Sequence, residues 1–306
     1  MPDIFLMEPY STDGMRGLLP ESVRVCYRSL RAWVLSVNLR PEEPPPLSNA
    51  EREASAGVSV VVPVHDAPEV TSRCLGSLER FGGEAEVIVV DDGSKLDRTR
   101  RVLDDFCSEN HWQLVRNQKP TGHSRASESG VLVSGRPYVC LLNSDTVVTP
   151  HSWLGVVRAF EGSADVAVAG PSTSQTPTPQ SVRRALYCRH YWSDEQIWSY
   201  ARRYVARHLR EPVADLPMVG GFAFFVRRAV WDGMGGFDKN LPDYGNEKEF
   251  CGRVKRAGAR IVWTKGSYIH HLGSESYGRT IGIEEVRRRC RVTADYVLGR
   301  TGPHPH

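Results

Sequence analysis

The sequence has no Cys-x-x-Cys pair, no long apolar run and almost no net charge, and each absence removes a class of protein. Its seven cysteines, Cys26, Cys74, Cys107, Cys140, Cys188, Cys251 and Cys290, are odd in number and scattered. That pattern excludes a disulfide framework or a zinc knuckle and reads as reduced thiols of a cytoplasmic protein. The longest apolar stretches, 58–64 and 220–226, fall far short of the ~20 residues a membrane-spanning helix needs. Met1 to Glu8 has no basic segment leading into an apolar one, so no signal peptide is evident. Lys and Arg number 39 against 36 Asp and Glu, a net charge of +3. A nucleic-acid partner held by counterion release calls for more, and more clustered, positive charge. Three glycine signatures are missing as well. Without G-x-G-x-x-G after the first strand a Rossmann dinucleotide site is excluded, and without G-x-x-x-x-G-K-[ST] a P-loop. Without G-x-S-x-G there is no α/β-hydrolase nucleophile elbow. A nucleotide, if bound, must be held by side chains and a metal.

What is present is a chain of 306 residues, 40% hydrophobic and 25% charged, enough to bury a core in one large or two modest domains. Residues 1–57 stand apart. Val23 to Leu39 carries a rough helical stripe and is followed by Pro41-Glu-Glu-Pro44-Pro45-Pro46, a stiff extended linker. This N-terminal arm reads as a packing arm or a homo-oligomer contact. Arg24, Arg28, Arg31 and Arg40 prompt a membrane-surface helix as the alternative.

From Val58 the pattern alternates. Buried-strand signals at 58–64, 86–90, 112–115, 137–142 and 166–169 are interleaved with helical spacing at 68–81 and 98–109. This order predicts an α/β protein, doubly wound, with a mostly parallel sheet and helices on both faces. Further on, 170–180 is rich in Ser, Thr and Pro and reads as a loop, and 194–209 as an arginine-bearing helix whose charges face solvent or an anionic acceptor. Residues 218–227 read as a strand with Gly220-Gly221 inside it, 247–257 as a helix, and 281–299 as a C-terminal helix. The expected division is an arm and linker at 1–57, a catalytic domain at 58–277 with halves 58–146 and 147–277, and a helix and tail at 278–306.

In open α/β sheets ligands bind beyond the carboxyl ends of the strands. Three strands end there in polar residues: His65-Asp66, Asp91-Asp92 and Asn143-Ser144-Asp145. Carboxylates gathered on one sheet edge repel, so a cation or a hydrogen-bonding ligand is needed to compensate them.

The segments Val58-Ser-Val-Val-Val-Pro-Val-His-Asp66, Glu86-Val-Ile-Val-Val-Asp-Asp-Gly-Ser94, Leu142-Asn-Ser-Asp-Thr146 and Val219-Gly-Gly-Phe-Ala-Phe-Phe-Val-Arg-Arg228 resemble family 2 glycosyltransferases. Gly235-Gly-Phe-Asp238, Tyr244-Gly-Asn-Glu-Lys-Glu-Phe-Cys251 and His271-Leu-Gly-Ser274 extend the likeness in the family's order, over roughly 57–277. The resemblance implies a GT-A fold and an enzyme that moves a hexosyl or deoxyhexosyl unit from a nucleotide diphosphate sugar (UDP-, dTDP- or GDP-linked) to an acceptor. The acceptor would be a glycan, natural product or peptide, and family members usually invert.

It also implies site roles. Asp92 matches the carboxylate that contacts the base, with Pro63 and His65 beside base and ribose, and Asp66 stands where Asn is usual. Asn143-Ser144-Asp145 corresponds to the Asp-x-Asp motif with its first acid replaced. Asp145 is then the metal ligand for Mn2+ or Mg2+, joined by His271, with His270 as alternative; an imidazole mildly favours manganese. Glu247 matches the general base, Glu249 is a secondary candidate, and Asn246 stands where an acid is common. Within Gly122 to Gly130, Arg125 is a candidate for the diphosphate. The altered Asn143 and Asn246 prompt the alternative of an inactive nucleotide-sugar-binding module. A nucleotidyltransferase of similar design would need a basic loop where residues 65–73 offer only Arg73.

Overall fold

The β-branched run at 58–64 is buried at every position and forms the centre of the sheet. The protein is described from a computed structural model that covers residues 42–182, 192–241 and 245–273. The helices expected at 23–39 and 281–299 lie outside these residues, as do Cys26, Cys188 and Cys290. Strands run β1 (Val58–Val64), β2 (Glu86–Asp92), β3 (Gln113–Asn117), β4 (Tyr138–Leu142), β5 (Thr146–Val147), β6 (Val166–Ser172), β7 (Ala214–Asp215), β8 (Ala223–Arg227), β9 (Arg260–Tyr268) and β10 (His270–His271). Helices are α1 (Asn49–Ala56), α2 (Pro68–Phe81), α3 (Asp97–Glu109), α4 (His123–Val133), α5 (Leu154–Glu161), α6 (Asp194–His208), α7 (Arg228–Met234) and α8 (Asn246–Arg256).

The main sheet has eight strands in the order β3-β2-β1-β4-β8-β6-β9-β7. Pairings β1–β2, β1–β4, β2–β3 and β6–β9 are parallel, whereas β8 is antiparallel to both β4 and β6, and β7 to β9. The strand order reverses about β1, so the turns after β1, β2 and β4 open on one edge. Side chains alternate between two cores. Val58, Val60, Val62 and Val64 join Leu75 and Leu78 of α2, Leu103 of α3, Phe160 of α5 and Ile197 of α6. Val61, Ile88 and Val90 join Ala126 of α4, Trp231 of α7 and Phe250 and Val254 of α8. A period of two in the strands therefore feeds helical layers on both faces.

Two features depart from the sequence expectation. The strand expected at 218–227 begins only at Ala223, leaving Gly220-Gly221 in the loop that enters it. The segment expected as linker is partly built into the fold: Ser48 caps α1 by accepting from Glu51 N, and Leu47 and Ala54 are buried in the first core. Glu51, only 3% exposed, accepts from Trp153 N at 3.1 Å and Leu154 N at 3.0 Å, satisfying orphan amides at the start of α5 from another helix. Upstream, Glu42 pairs with Arg202 and Arg203 of α6, so part of that arginine-bearing helix faces the linker. Among the described residues no helix is long and apolar enough to cross a membrane, and Cys74, Cys107, Cys140 and Cys251 are buried free thiols.

Glu51→Ala should lower unfolding free energy by about 2 kcal/mol, the scale of losing charge-assisted hydrogen bonds that leave buried amides orphaned. Glu51→Gln, which keeps an acceptor, should recover about half of that loss. Urea titration followed by far-UV circular dichroism measures both. Gly130→Ala should cost about 1–3 kcal/mol, because its Cβ would run into the Val61 and Val90 side chains where α4 crosses the sheet.

Candidate active site

The turns after β1, β2 and β4 and the first turn of α4 line an open cleft. It is lined by Pro63, Val64, His65, Asp92, His123, Ala126, Asn143 and Ser144. Asp92 ends β2 at 5% exposure, and its carboxylate is densely bonded. Oδ1 accepts from Asn117 Nδ2 at 2.8 Å, Thr121 N at 2.9 Å and Thr121 Oγ1 at 2.7 Å, and Oδ2 from Gly122 N at 2.9 Å. These bonds fasten the 117–122 loop to the end of β2 and deliver Gly122, with φ of 91°, to the start of α4. Beside it, Asp91 Oδ1 accepts from Ser94 N at 2.9 Å, and Arg116 lies 3.4 Å from its Oδ2.

His65 points Nδ1 at the Asp92 carbonyl at 2.8 Å. A carbonyl only accepts, so that nitrogen carries the proton and leaves Nε2 as the lone-pair nitrogen of the neutral ring. Asp66 does not line the cleft. It occupies a left-handed turn (φ 53°) with Ala67 (φ 55°), and its Oδ1 accepts from Lys95 N and Leu96 N, both at 2.9 Å. It thus ties the first turn to the start of α3. Arg125 is exposed on α4 and also lies outside the lining. Among the lining residues there is no lysine or arginine, so the basic triphosphate loop of a nucleotidyltransferase is not found there.

Asp145 and His271 meet where β5 pairs with β10, in the register His271 to Thr146. His271 Nε2 lies 3.3 Å from Asp145 Oδ1, with both side chains largely buried. The opposite ring nitrogen, Nδ1, is 2.7 Å from the Gln175 carbonyl and must donate to it. Nε2 is thereby presented towards the carboxylate, the second-shell arrangement that orients ligating histidines. Two lone-pair atoms this close call for a proton or a cation between them, and a carboxylate oxygen and an imidazole nitrogen are both donors that a divalent cation accepts. No cluster of three or more His, Cys, Asp or Glu is found among the described residues, so further ligands would come from a bound diphosphate and water. The pair fits such a cation. His270 is fully buried and bonded to Tyr268 Oη at 3.0 Å, leaving His271 as the histidine that faces Asp145.

Glu247 lies in the first turn of α8, which starts from Gly245 with φ of 78°. A Cβ on Gly221 would overlap the Glu247 carboxylate, so this glycine leaves the room that the side chain occupies. Burial pushes the Glu247 carboxyl above its ordinary range, opposed in smaller part by the charge of His123. Asn246 is fully buried and donates Nδ2 to Ser124 Oγ at 2.9 Å, while Ser124 gives its own proton to the Leu241 carbonyl. This contact joins the starts of α4 and α8, setting His123 and Glu247 side by side. Glu249 turns elsewhere. It is paired with Arg253 at 2.7 Å, and Arg253 also donates to the carbonyls of Met234 and Gly236. Its partner therefore gives Glu249 a place in fastening the Gly235-Gly236 turn, and Glu247 is the acid facing Gly221.

The structure thus gathers Pro63, His65, Asp92, Asn143 and Ser144 in one cleft and pairs Asp145 with His271. His123 and Ser124 are additions; their signal is the Gly122–Gly130 segment, whose site candidate from sequence is Arg125.

Similarity to known proteins agrees with this architecture. The profile of "Glycosyl transferase family 2" matches residues 59–234. The uncharacterized protein y4gI of Sinorhizobium fredii is 24% identical over 82% of this chain and 28% of its own length. The O-antigen biosynthesis protein RfbC of Myxococcus xanthus is 27% identical over 60% of this chain and 14% of its own length. The chain thus spans less than a third of either relative. Among solved structures, the mannosyltransferase PcManGT from Pyrobaculum calidifontis, in complex with GDP-Man and Mn2+, has a TM-score of 0.57 at 15% identity, covering 93% of this chain and 75% of its own. GalNAc-T7 with UDP, GalNAc and Mn2+ gives 0.54 at 16%, covering 79% and 50%. These likenesses establish the GT-A fold, and with the profile match spanning more than half of its length, the chain belongs to glycosyl transferase family 2.

Proposed function

We propose that the protein transfers a sugar from a nucleotide diphosphate sugar to an acceptor nucleophile, with inversion, using Glu247 as the general base. The observation that carries this reading is the meeting, on one sheet edge, of the cleft, the Asp145–His271 pair and the Glu247 carboxyl over Gly221. The nucleoside lies against Pro63, His65 and the Asp92 loop. Because the Asp92 carboxylate is already bonded to Asn117, Thr121 and Gly122, it serves the base by shaping that loop and by any acceptor capacity left over. A bound divalent cation would neutralise charge on the departing diphosphate, and Asp145 and His271 are the residues that would hold it.

In the transfer, the acceptor oxygen forms its bond to the anomeric carbon as the bond to the diphosphate oxygen breaks. The acceptor proton passes to Glu247. Its raised pKa brings it nearer to the operating pH, where a base combines adequate ionisation with proton affinity. Since burial raises that pKa, the carboxyl favours folding while protonated and loses that favour as pH rises through its folded value. Ionising this base therefore costs folding stability.

A thermal-shift screen of UDP, dTDP and GDP with and without Mn2+ tests the reading. One nucleotide should raise the melting temperature in a metal-dependent way, and no shift with any would refute it. Asp145→Ala and His271→Ala should each abolish the Mn2+-dependent part of that shift. Glu247→Gln should reduce kcat by about 10²–10⁴-fold while leaving the melting temperature at neutral pH equal or higher. For the wild type kcat should rise with pH through the base's titration, and proton NMR of the first product should show the inverted anomer.

A further inference from the structure

The segment after β6 closes on itself and touches both halves of the site. Thr173 N donates to Gln180 O at 3.0 Å, Val182 N to Thr173 O at 2.8 Å, and Ser181 Oγ to Ser174 O at 3.1 Å. At one end, Ser174 Oγ donates to the His271 carbonyl at 2.6 Å and accepts from the His271 amide at 2.9 Å. The next carbonyl, of Gln175, receives His271 Nδ1. At the other end, Gln180 Oε1 accepts from Gly220 N at 2.8 Å and from Thr178 Oγ1 at 2.7 Å, while its Nε2 donates to Pro171 O at 2.8 Å. Gly220 leads into Gly221, the residue whose missing side chain accommodates Glu247.

Gln180 is fully buried, and a buried primary amide is tolerated only when its donor and acceptor are answered. Here every answer comes from backbone or side chain of this loop and its neighbours. Closure of the loop alone would need only the Gln180 backbone, through Thr173. The side chain adds a bond across to a different segment, the one entering β8. The glycines on either side fit that role. A Cβ on Gly170 would overlap Gln180 Nε2, and one on Gly220 would overlap Thr176 Oγ1, so both backbones approach the loop as closely as they can.

We propose that Gln180 is a positioning residue that couples the two sides of the site, holding the Gly220-Gly221 floor of Glu247 in register with His271 through the 173–181 loop. The inference deepens the transferase reading and rests on it for the consequence in turnover. Gln180 touches neither Asp145 nor His271, so its effect on a cation held by them is transmitted through Ser174 and Gln175.

The test compares wild type with Gln180→Met, which keeps length and removes both hydrogen-bonding functions, and with Gln180→Glu, which keeps acceptors for Gly220 and Thr178. The first readout is binding of Mn2+ alone, by electron paramagnetic resonance, with no substrate present. Gln180→Met should bind about 10-fold more weakly, the lower end of what loss of supporting contacts costs a metal site. With the nucleotide sugar that the wild type turns over best, its kcat should fall about 10–100-fold and its donor KM change less than about threefold. Gln180→Glu should recover much of both. A folded Gln180→Met with wild-type Mn2+ affinity and kcat would overturn the proposal and leave the amide as a loop fastener. Should Gln180→Met fail to fold, Ser174→Ala decides: its Mn2+ affinity should fall likewise, and an unchanged value overturns the coupling. A wild type that binds Mn2+ but turns over no donor counts against the transferase reading and leaves the metal measurements to judge the loop; a wild type that binds no Mn2+ overturns both.

Discussion

A carboxylate taken out of water must be answered by hydrogen bonds or positive charge, and this fold buries Asp91, Asp92, Asp145 and Glu249. Each is answered differently, and the answers sort the residues. Asp92 is met by backbone and side-chain donors of one loop, so its charge is spent on shape. Asp91 is met by Ser94 and Arg116, and Glu249 by a guanidinium that also holds two carbonyls. Asp145 faces an imidazole nitrogen whose ring is fixed from behind. Glu247 occupies the room that Gly221 leaves, and burial raises its pKa against the smaller opposing charge of His123. The more completely the protein itself compensates a carboxylate, the more structural its role.

Departures from the family pattern become intelligible in the same terms. Ser124 has one hydroxyl proton, and it goes to the Leu241 carbonyl. Residue 246 must then donate to Ser124 Oγ, which an amide does and a carboxylate cannot. Asn246 is accordingly matched to the contact that sets α4 against α8. Asn143 is tied through its backbone, donating to Phe222 O at 2.9 Å and accepting from Thr146 Oγ1 at 2.7 Å. It anchors the turn that carries Asp145 to the start of β8.

Much of the fold could be read from the chain because β1, β2 and β4 are apolar runs, the first two rich in β-branched residues, and are bounded by turn residues. What escaped reading depends on distant partners. β9 mixes Thr, Lys, Gly and Ser among its apolar residues and pairs with β6 through register shifts, so it has no clean period. The eight residues of α1 are mostly polar, and it is long-range contact with α5 that makes it a helix of this fold. Within the site, acids and histidines were legible as types at strand ends. Which of them are already bonded was less so: Glu249 and Arg253 stand at i and i+4 on α8, but Asn117 and Thr121 answer Asp92 across a turn that no local pattern encodes. The Gln180 bond to Gly220 crosses between segments 40 residues apart and leaves no trace in spacing.

The Glu51 cap carries a consequence for where the folding unit begins. The family match opens at residue 59, at the first strand, and a boundary drawn there looks natural in any alignment of the motifs. Yet the amides of Trp153 and Leu154 are closed by an acid upstream of it, and Leu47 belongs to the core. A chain trimmed to its recognisable motifs would keep every residue of the site and lose a piece of its own interior. The buried interior therefore starts before the family signature does, at the end of the proline-rich stretch.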